Sequence, residues 1–423
     1  MTPVLGLLSL LRKTDRDFIR TFFSRYRFTL QERRQMIEFA RDLEMWGGED
    51  LREVAARLEA ALRPDLEAAA RKKILFETLR AEILRQRKLP KDYPSSAPKI
   101  VSSPQRKLVR RRSAGKIDGD CPVASPRTVC CNLRTLDAVR NCPFGCSYCT
   151  LQTFYGSEIL LDEELRRKLA SIRILPERFY HFGTGQSSDS LVWGNRFGLL
   201  DELCGFAAAH PNILLEFKTK SSDVSYFLDH VVPANVACSW SLNPEPVIQN
   251  EEHGTASLAE RIRAARLVAD RGVRVAFHFH PMIEYRGWDR DYPAIAKTLL
   301  KQFDPSEVLF VSFGSVTLIK PVVRKIRERG GATKILQMEM VPDPHGKWTY
   351  PAPVKLRLFR TMREALRPWE GSVYFYLCME HASIWDELFG WHYETNDLFE
   401  ADFGAKVMAK IKTVPIMHAR DFT

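Results

Sequence analysis

Between residues 178 and 379 the sequence alternates short β-type runs with amphipathic helical stretches, and this alternation limits the fold more than any other feature. The runs are RFYHFG (178–183), ILLEFKTK (213–220), VACSWSLN (236–243), VRVAFHFH (273–280), VLFVSFG (308–314), KILQMEM (334–340) and VYFYLCM (373–379). Helical patterns separate them. In SLAERIRAARLVADRG, Leu258, Ile262, Ala265 and Val268 share one face and Gly272 closes the pattern. Strand–helix alternation demands a mostly parallel sheet, because each crossover helix returns the chain to the same edge direction. About six such units suit an α/β fold of partial (β/α)6 TIM type, with active residues at the C-terminal strand ends. A doubly wound open sheet is the competitor, since the pattern leaves closure open.

The first 95 residues have a different texture. FTLQERRQMIEFARDLEMW begins with a capping box, Thr29 with Glu32, and ends at Gly47. Two more amphipathic stretches follow, through Leu51, Val54, Leu58 and Leu62 and through Ile74, Leu75, Leu79 and Ile83. The expected organisation is a helical region (1–95), a basic Pro/Ser-rich linker (96–124), a barrel (125–390) and a C-terminal extension (391–423). At 423 residues the chain is too long for one small core.

The net charge of +11 is concentrated. Residues 71–116 carry fifteen Lys/Arg against three acids, so the remainder is close to neutral. A basic stripe suits a polyanion such as DNA, and Arg110, Arg111 and Arg112 are its densest part. A solvated helix with a basic linker is the plainer reading. No run of eighteen apolar residues exists, so no membrane contact is expected. The apolar start is followed, not preceded, by Arg12 and Lys13, so it reads as helix and not export signal. A cytoplasmic, reducing setting follows, with cysteines as thiols or ligands.

Three of the nine cysteines fall in NCPFGCSYCTL, where Cys142, Cys146 and Cys149 make C-x3-C-x2-C. Structural zinc wants four protein ligands, and Cys121, Cys130 or Cys131 would have to supply the last. An iron–sulfur cluster can use three thiolates and leave one iron open to a small molecule.

That spacing, followed by α/β units, resembles the radical S-adenosylmethionine superfamily. The stretches CSYCTLQT, GTGQSSDSL, LEFKTKSSDV, SWSLNPEPVI, EEHGTASLAERIRAA and PMIEYRGWDRDY resemble the spore photoproduct lyase family more narrowly, in order from about residue 140 to 390. The resemblance implies a [4Fe-4S] cluster on Cys142, Cys146 and Cys149 with S-adenosyl-L-methionine as cosubstrate. It implies reductive cleavage of that cosubstrate, hydrogen abstraction from a DNA photoproduct, and an electron donor such as flavodoxin or ferredoxin. It places Gly183, Thr184, Gly185 and Gln186 near the cosubstrate amino group. Ser188, Asp189, Lys220, Ser241, Asn243 and His280 fall around the rest of it.

Two positions depart from the family pattern. Gln186 stands where the family has a cysteine that returns hydrogen to the product radical, and Thr150 stands where it has a tyrosine. Tyr148 and Cys378 are the substitutes to consider. His278 and His280 share a strand face and read as polar barrel lining. Cys130 and Cys131, being adjacent, are expected to diverge as separate core thiols. Trp193, Tyr285 and Trp288 are candidates to stack on a base. The rival functions are the same radical chemistry on a substrate other than nucleic acid, and a non-catalytic zinc module that binds nucleic acid.

Overall fold

The computed structural model describes residues 3–94, 106–121, 127–154, 156–343 and 345–413. Most of the Pro/Ser-rich stretch (95–105) and the last ten residues lie outside the described part, as do parts of the expected linker and C-terminal extension.

Eight strands form the central sheet: β1 (Asp118–Asp120), β2 (Arg134–Leu136), β3 (Tyr180–Gly183), β4 (Ile213–Thr219), β5 (Val236–Ser241), β6 (Arg274–Met282), β7 (Val308–Ser315) and β8 (Tyr374–Leu377). Their order in space is their order in sequence. All neighbouring pairs run parallel except β1 with β2. A singly wound parallel sheet with helical crossovers curls into a half-barrel, because right-handed crossovers keep the helices on one face. Six of the seven expected β runs are strands. The exception is KILQMEM, which has no regular structure. Its Ile335, Leu336 and Met338 are buried, but Thr333 N–H donates to Met45 O at 3.1 Å. The apolar run satisfies its burial against the helical region and never reaches the sheet edge.

Burial explains why the strands read as continuous apolar runs. Trp240, Phe217, Phe277, Phe279, Phe310 and Phe313 are almost completely buried. Each contributes on the order of 1.5–3 kcal/mol. The inner face is more polar. Alternate residues of β4, β5 and β6 bring Glu216, Ser239 and His278 together inside the barrel. The C-terminal helix Asn396–Thr413 closes the lower interior, placing Phe403 against His181, Phe310, Tyr374 and Tyr376 at ring separations of 5.1–5.8 Å.

Five helices precede the sheet: α1 (Pro3–Leu10), α2 (Lys13–Arg25), α3 (Leu30–Trp46), α4 (Leu51–Ala60) and α5 (Ala68–Lys88). The Thr29/Glu32 capping box forms, and Gly47 takes φ 73° at the end of α3. These helices dock on the barrel through a buried ion network. Asp42 of α3 accepts from Arg327 at 2.7 and 2.8 Å and from Arg87 of α5 at 2.8 Å, and Arg327 also reaches Glu38 at 2.9 Å.

Among the described residues, the basic run of 71–116 does not form one surface. Lys91 is buried with its ammonium on Tyr350 Oη at 3.0 Å, and Lys88 pairs with Glu339 at 3.0 Å. Burial lowers the Lys91 pKa to about 8. Residues 107–111 form a strand parallel to Glu158–Asp162, in a small sheet completed by Val139–Arg140. On it Arg110 lies 5.4 Å from the Phe197 ring and Arg111 pairs with Glu158 at 3.1 Å, and just after it Arg112 lies 3.7 Å from Glu163. All three side chains are exposed.

Candidate active site

The three closely spaced cysteines occupy the loop from β2 toward β3, at the C-terminal mouth of the barrel. Two consecutive acids hold that loop from below. Glu252 and His253 pair antiparallel with Cys146 and Gly145. Ser147 N–H donates to Glu251 O at 2.8 Å, and the Ser147 hydroxyl bonds the Glu251 carboxylate. Glu251 also accepts from Tyr93 at 3.0 Å, Thr333 at 2.6 Å and Lys334 N–H at 2.9 Å, so one buried carboxylate joins the loop to segments on both sides.

Glu252 is the centre of a second buried network. It takes a hydrogen bond from Tyr148, one from Asn243 at 2.8 Å, and an ion pair with Arg261 at 2.6 Å. Arg261 also donates to Ser241 O at 2.8 Å, and Tyr292 donates to Asn243 Oδ1 at 2.8 Å. Burial opposes the Glu252 charge, yet Arg261 and Lys220 hold its pKa down to about 2. Tyr148 and Asn243 thus both donate to this one carboxylate. The Tyr148 hydroxyl is buried, with its pKa pushed well up by burial and by the Glu252 charge.

The loop after β3 is tied to the end of β4. Asp189 accepts from Leu191 N–H, Val192 N–H, Thr219 Oγ1 and Lys220 N–H at 2.7–3.1 Å. Burial still raises its pKa. Thr184 donates from N to Glu216 O at 3.1 Å and from Oγ1 to Ser190 Oγ at 2.7 Å. Ser188 accepts from Trp193 Nε1 at 3.1 Å. A Cβ on Gly185 would lie 2.7 Å from Lys218 O, so this glycine permits loop and strand to touch. Gln186 lines a cleft of about 560 Å³ with Arg111, Arg140 and Asn141.

Lys220 is half-buried beside the cysteine loop, its ammonium 5.9 Å from the Tyr148 ring, and its charge favours the Cys146 thiolate. The thiols themselves are partly dry. Burial pushes Cys146 up to about 12 and raises Cys142 well above the usual thiol range. The three lie near enough for their charges to oppose one another. Among the described residues no three His, Cys, Asp or Glu side chains are close enough to share one metal ion. The donor chemistry and the mutual proximity of the thiols fit a multi-iron cluster, which spreads its ligands over several metals.

Deeper in the barrel, Glu216 receives His181 at 2.8 Å, His278 at 2.5 Å and the Ser239 hydroxyl, while His278 also contacts Ser312 at 2.5 Å. The two histidines hold Glu216 well below the usual carboxylate range despite its burial. Burial, aided by Lys218, lowers His278 to about 4 and His280 well below its usual value. His280 lies against Gly314, where a Cβ would meet the ring at 2.8 Å. Glu216, Lys218, Glu251 and Glu252 escaped the sequence reading. The alternation of Glu216, Lys218 and Lys220 in LEFKTK was the available signal.

Cys130 and Cys131 are both buried in the core. One expectation is corrected here. Tyr285 is buried, donates to Asp291 at 2.7 Å and has no free face for a base. Trp193 and Trp288 remain half-buried.

Comparison with known proteins agrees with this geometry. The family described as spore photoproduct lyase matches residues 136–351. The spore photoproduct lyase of Geobacillus sp. (strain Y412MC61) is 27% identical over 202 residues, covering 46% of this chain and 59% of the relative. That of Bacillus subtilis (strain 168) is 28% identical over 157 residues, covering 36% and 46%. The chain thus spans about 59% or less of the curated relatives it matches. A solved spore photoproduct lyase complexed with dinucleoside spore photoproduct shares the fold, with a TM-score of 0.54 and 24% identity over 64% of this chain and 82% of that one. A mutant of that enzyme with bound AdoMet and the same dinucleoside aligns equally well. With the family match extending over half of its residues, this chain belongs to the spore photoproduct lyase family.

Proposed function

We propose that the protein is a radical S-adenosylmethionine enzyme that abstracts hydrogen from a DNA-related substrate. The observation that carries this reading is the cysteine loop. Three thiols of C-x3-C-x2-C sit at the barrel mouth, fastened by Glu251 and Glu252 and flanked by Lys220. Cys142, Cys146 and Cys149 would hold a [4Fe-4S] cluster. When bound, such a cluster supplies the electron that cleaves S-adenosylmethionine reductively.

The chain's own residues bind and orient. Lys220 offers a fixed cation for the cosubstrate carboxylate, its backbone locked by Asp189. Gly183, Thr184, Gly185 and Gln186 present backbone polar groups to the amino end. Ser188, Ser241 and His280 line the space between, and Asn243 acts through Glu252. Gln186 cannot return a hydrogen atom and Tyr148 is engaged with Glu252. That leaves Cys378, half-buried at the end of β8, as the thiol in reach of the barrel interior.

A substrate outside nucleic acids is the second reading, favoured by the engagement of Arg111 and Arg112 with acids. The zinc module is disfavoured because it leaves Lys220 and the Glu216 network without a task. No helix is long and apolar enough to cross a membrane. A cytoplasmic setting with a flavodoxin- or ferredoxin-like donor belongs to the same proposal.

The test is anaerobic reconstitution with iron and sulfide, then incubation with dithionite, S-adenosylmethionine and ultraviolet-irradiated DNA. About four irons per chain and formation of 5′-deoxyadenosine support the radical reading. Loss of photoproduct supports the DNA substrate. 5′-Deoxyadenosine without photoproduct loss selects the second reading, and a colourless protein without cosubstrate cleavage overturns both.

A further inference from the structure

The inward side chains of the half-barrel stand in tiers, and two successive tiers differ in their access to solvent. A strand points a side chain inward at every second residue, so the next tier is reached by moving two residues up each strand. The lower tier is fixed by direct contacts. Glu216 of β4 receives His181 of β3 at 2.8 Å, the Ser239 hydroxyl of β5 and His278 of β6 at 2.5 Å. His278 reaches Ser312 of β7 at 2.5 Å, and the register partner of Ser312 on β8 is Tyr376. All six of these residues are no more than 4% exposed.

Two residues higher on the same strands stand Gly183, Lys218, Ser241, His280 and Gly314, with Cys378 just past the end of β8. The neighbours are kept. A Cβ on Gly314 would meet the His280 ring at 2.8 Å, and Cys378 N–H donates to Phe313 O at 2.7 Å. Two glycines and a serine among these residues leave the cross-section unfilled, and Lys218, His280 and Cys378 are only half-buried. The result is a recess floored by the dry Glu216 tier and open toward the cysteine loop.

Lys218 is held there by its backbone and left free at its tip. Ser190 N–H donates to Lys218 O at 3.3 Å, and a Cβ on Gly185 would lie 2.9 Å from the Lys218 Cβ. The Lys218 ammonium makes no hydrogen bond or ion pair among the described residues, and neither do the His280 ring nitrogens. Glu216, the acid two residues below on the same face, has both oxygens taken by His181, Ser239 and His278. Lys220 stands about 7 Å further along the strand, beside the cysteine loop. Two ammonium groups on one face, neither of them ion-paired, require two anionic groups when the site is filled.

We propose that this recess binds an anionic oxygen group of the substrate, phosphoryl or carboxylate, with Lys218 as its counter-charge and a His280 ring N–H as a second donor. The inference rests on the radical reading, in which Lys220 takes the cosubstrate carboxylate. It adds a demand that the reading lacks, since the substrate must carry charge into the barrel interior and not only to the outer basic strand. Burial and the Lys218 charge keep the His280 imidazole neutral, so it donates without adding a second cation.

The test measures binding by the full chain, reconstituted anaerobically, and needs no turnover. Isothermal titration uses inorganic phosphate, thymidine 5′-phosphate, thymidine and succinate. Lys218→Met is expected to weaken phosphate binding by at least about tenfold, as for loss of one charge-assisted contact. Lys88→Met, whose side chain pairs with Glu339 outside the barrel, should leave it within about twofold. Saturating S-adenosylmethionine should leave phosphate bound. Tighter binding of thymidine 5′-phosphate than of phosphate or thymidine supports the recess with a nucleotide anion, and tighter binding of succinate supports it with a carboxylate. Anions that bind wild type and Lys218→Met equally would overturn the recess. So would complete displacement of phosphate by S-adenosylmethionine, which would put Lys218 on the cosubstrate. If Lys218→Met fails to fold, Lys218→Gln carries the same prediction. Formation of 5′-deoxyadenosine is scored separately. Cosubstrate cleavage without anion binding sinks only the recess, and anion binding through Lys218 without cleavage sinks only the radical reading.

Discussion

Two groups of polar side chains sit in one barrel, and they differ in how the chain assembles them. Cys142, Cys146 and Cys149 come from eight consecutive residues, on a loop held by Glu251 and Glu252. Lys218, Ser241 and His280 come from three strands, brought to one tier by the register of the sheet. The first group is local and carries a recognisable spacing. The second depends on the sheet having curled. Local groups are specified by sequence and can keep a ligand set through wide divergence elsewhere, whereas a tier responds to anything that opens or closes the barrel.

The largest expected effect separates the two groups. Replacing Cys142, Cys146 or Cys149 by Ala should reduce bound iron to background and lower S-adenosylmethionine cleavage by at least about a thousandfold. Lys218→Met should leave iron near the wild-type level. Iron analysis and chromatography of 5′-deoxyadenosine decide, and equal iron loss in both groups would erase the distinction.

The support beneath the local group is the next target. Glu252→Gln leaves the Arg261 guanidinium buried without its counter-charge. The cost should be about 3–5 kcal/mol by denaturant unfolding. A cost under about 1 kcal/mol would mean that the loop does not depend on this carboxylate.

The barrel interior beneath the two groups should make stability depend on pH. His278 is depressed to about 4, below its unfolded value of about 6.5. The unfolded chain therefore binds more protons in that window, and stability present above pH 6.5 is lost as pH falls toward 4. The depressed Glu216 acts in the same direction below its own unfolded value. The loss should be on the order of 2–3 kcal/mol, read from urea melts across the window. His278→Gln should flatten the profile.

Lys220→Met should weaken S-adenosylmethionine binding by about tenfold while leaving iron content unchanged, as expected for loss of one charge-assisted contact. The smallest effect belongs to the outer surface. Arg110→Ala, Arg111→Ala and Arg112→Ala together should change stability by under about 1 kcal/mol, since their partners are exposed. DNA affinity should fall, with a salt dependence shallower by about one unit per lost phosphate contact.

Local chemistry was legible in advance. Periodicity identified six of the eight sheet strands, and spacing identified the first cysteine group. The capping box at Thr29 and the barrel-facing pair His278 and His280 were likewise readable from short windows. β1 and β2, three residues each, were too short to carry a period. KILQMEM misled for a physical reason, since an apolar run reports that it will be buried and not what will cover it. Lys91 and Arg87 read as part of a basic stripe because charge is counted along the chain, whereas their partners Tyr350 and Asp42 are distant in sequence.

By itself the sequence determined the α/β alternation, the helical start, the three-thiol loop and the two departures at Gln186 and Thr150. The tertiary structure alone decided that Glu251 and Glu252 anchor that loop, that Asp189 serves the backbone of Lys220, and that Lys218 and His280 share a tier. The division follows from range. Propensity, capping and ligand spacing act within about ten residues and leave a trace in the chain. Buried carboxylates and thiols acquire partners, and with them their protonation, only when the curled sheet removes water from around them.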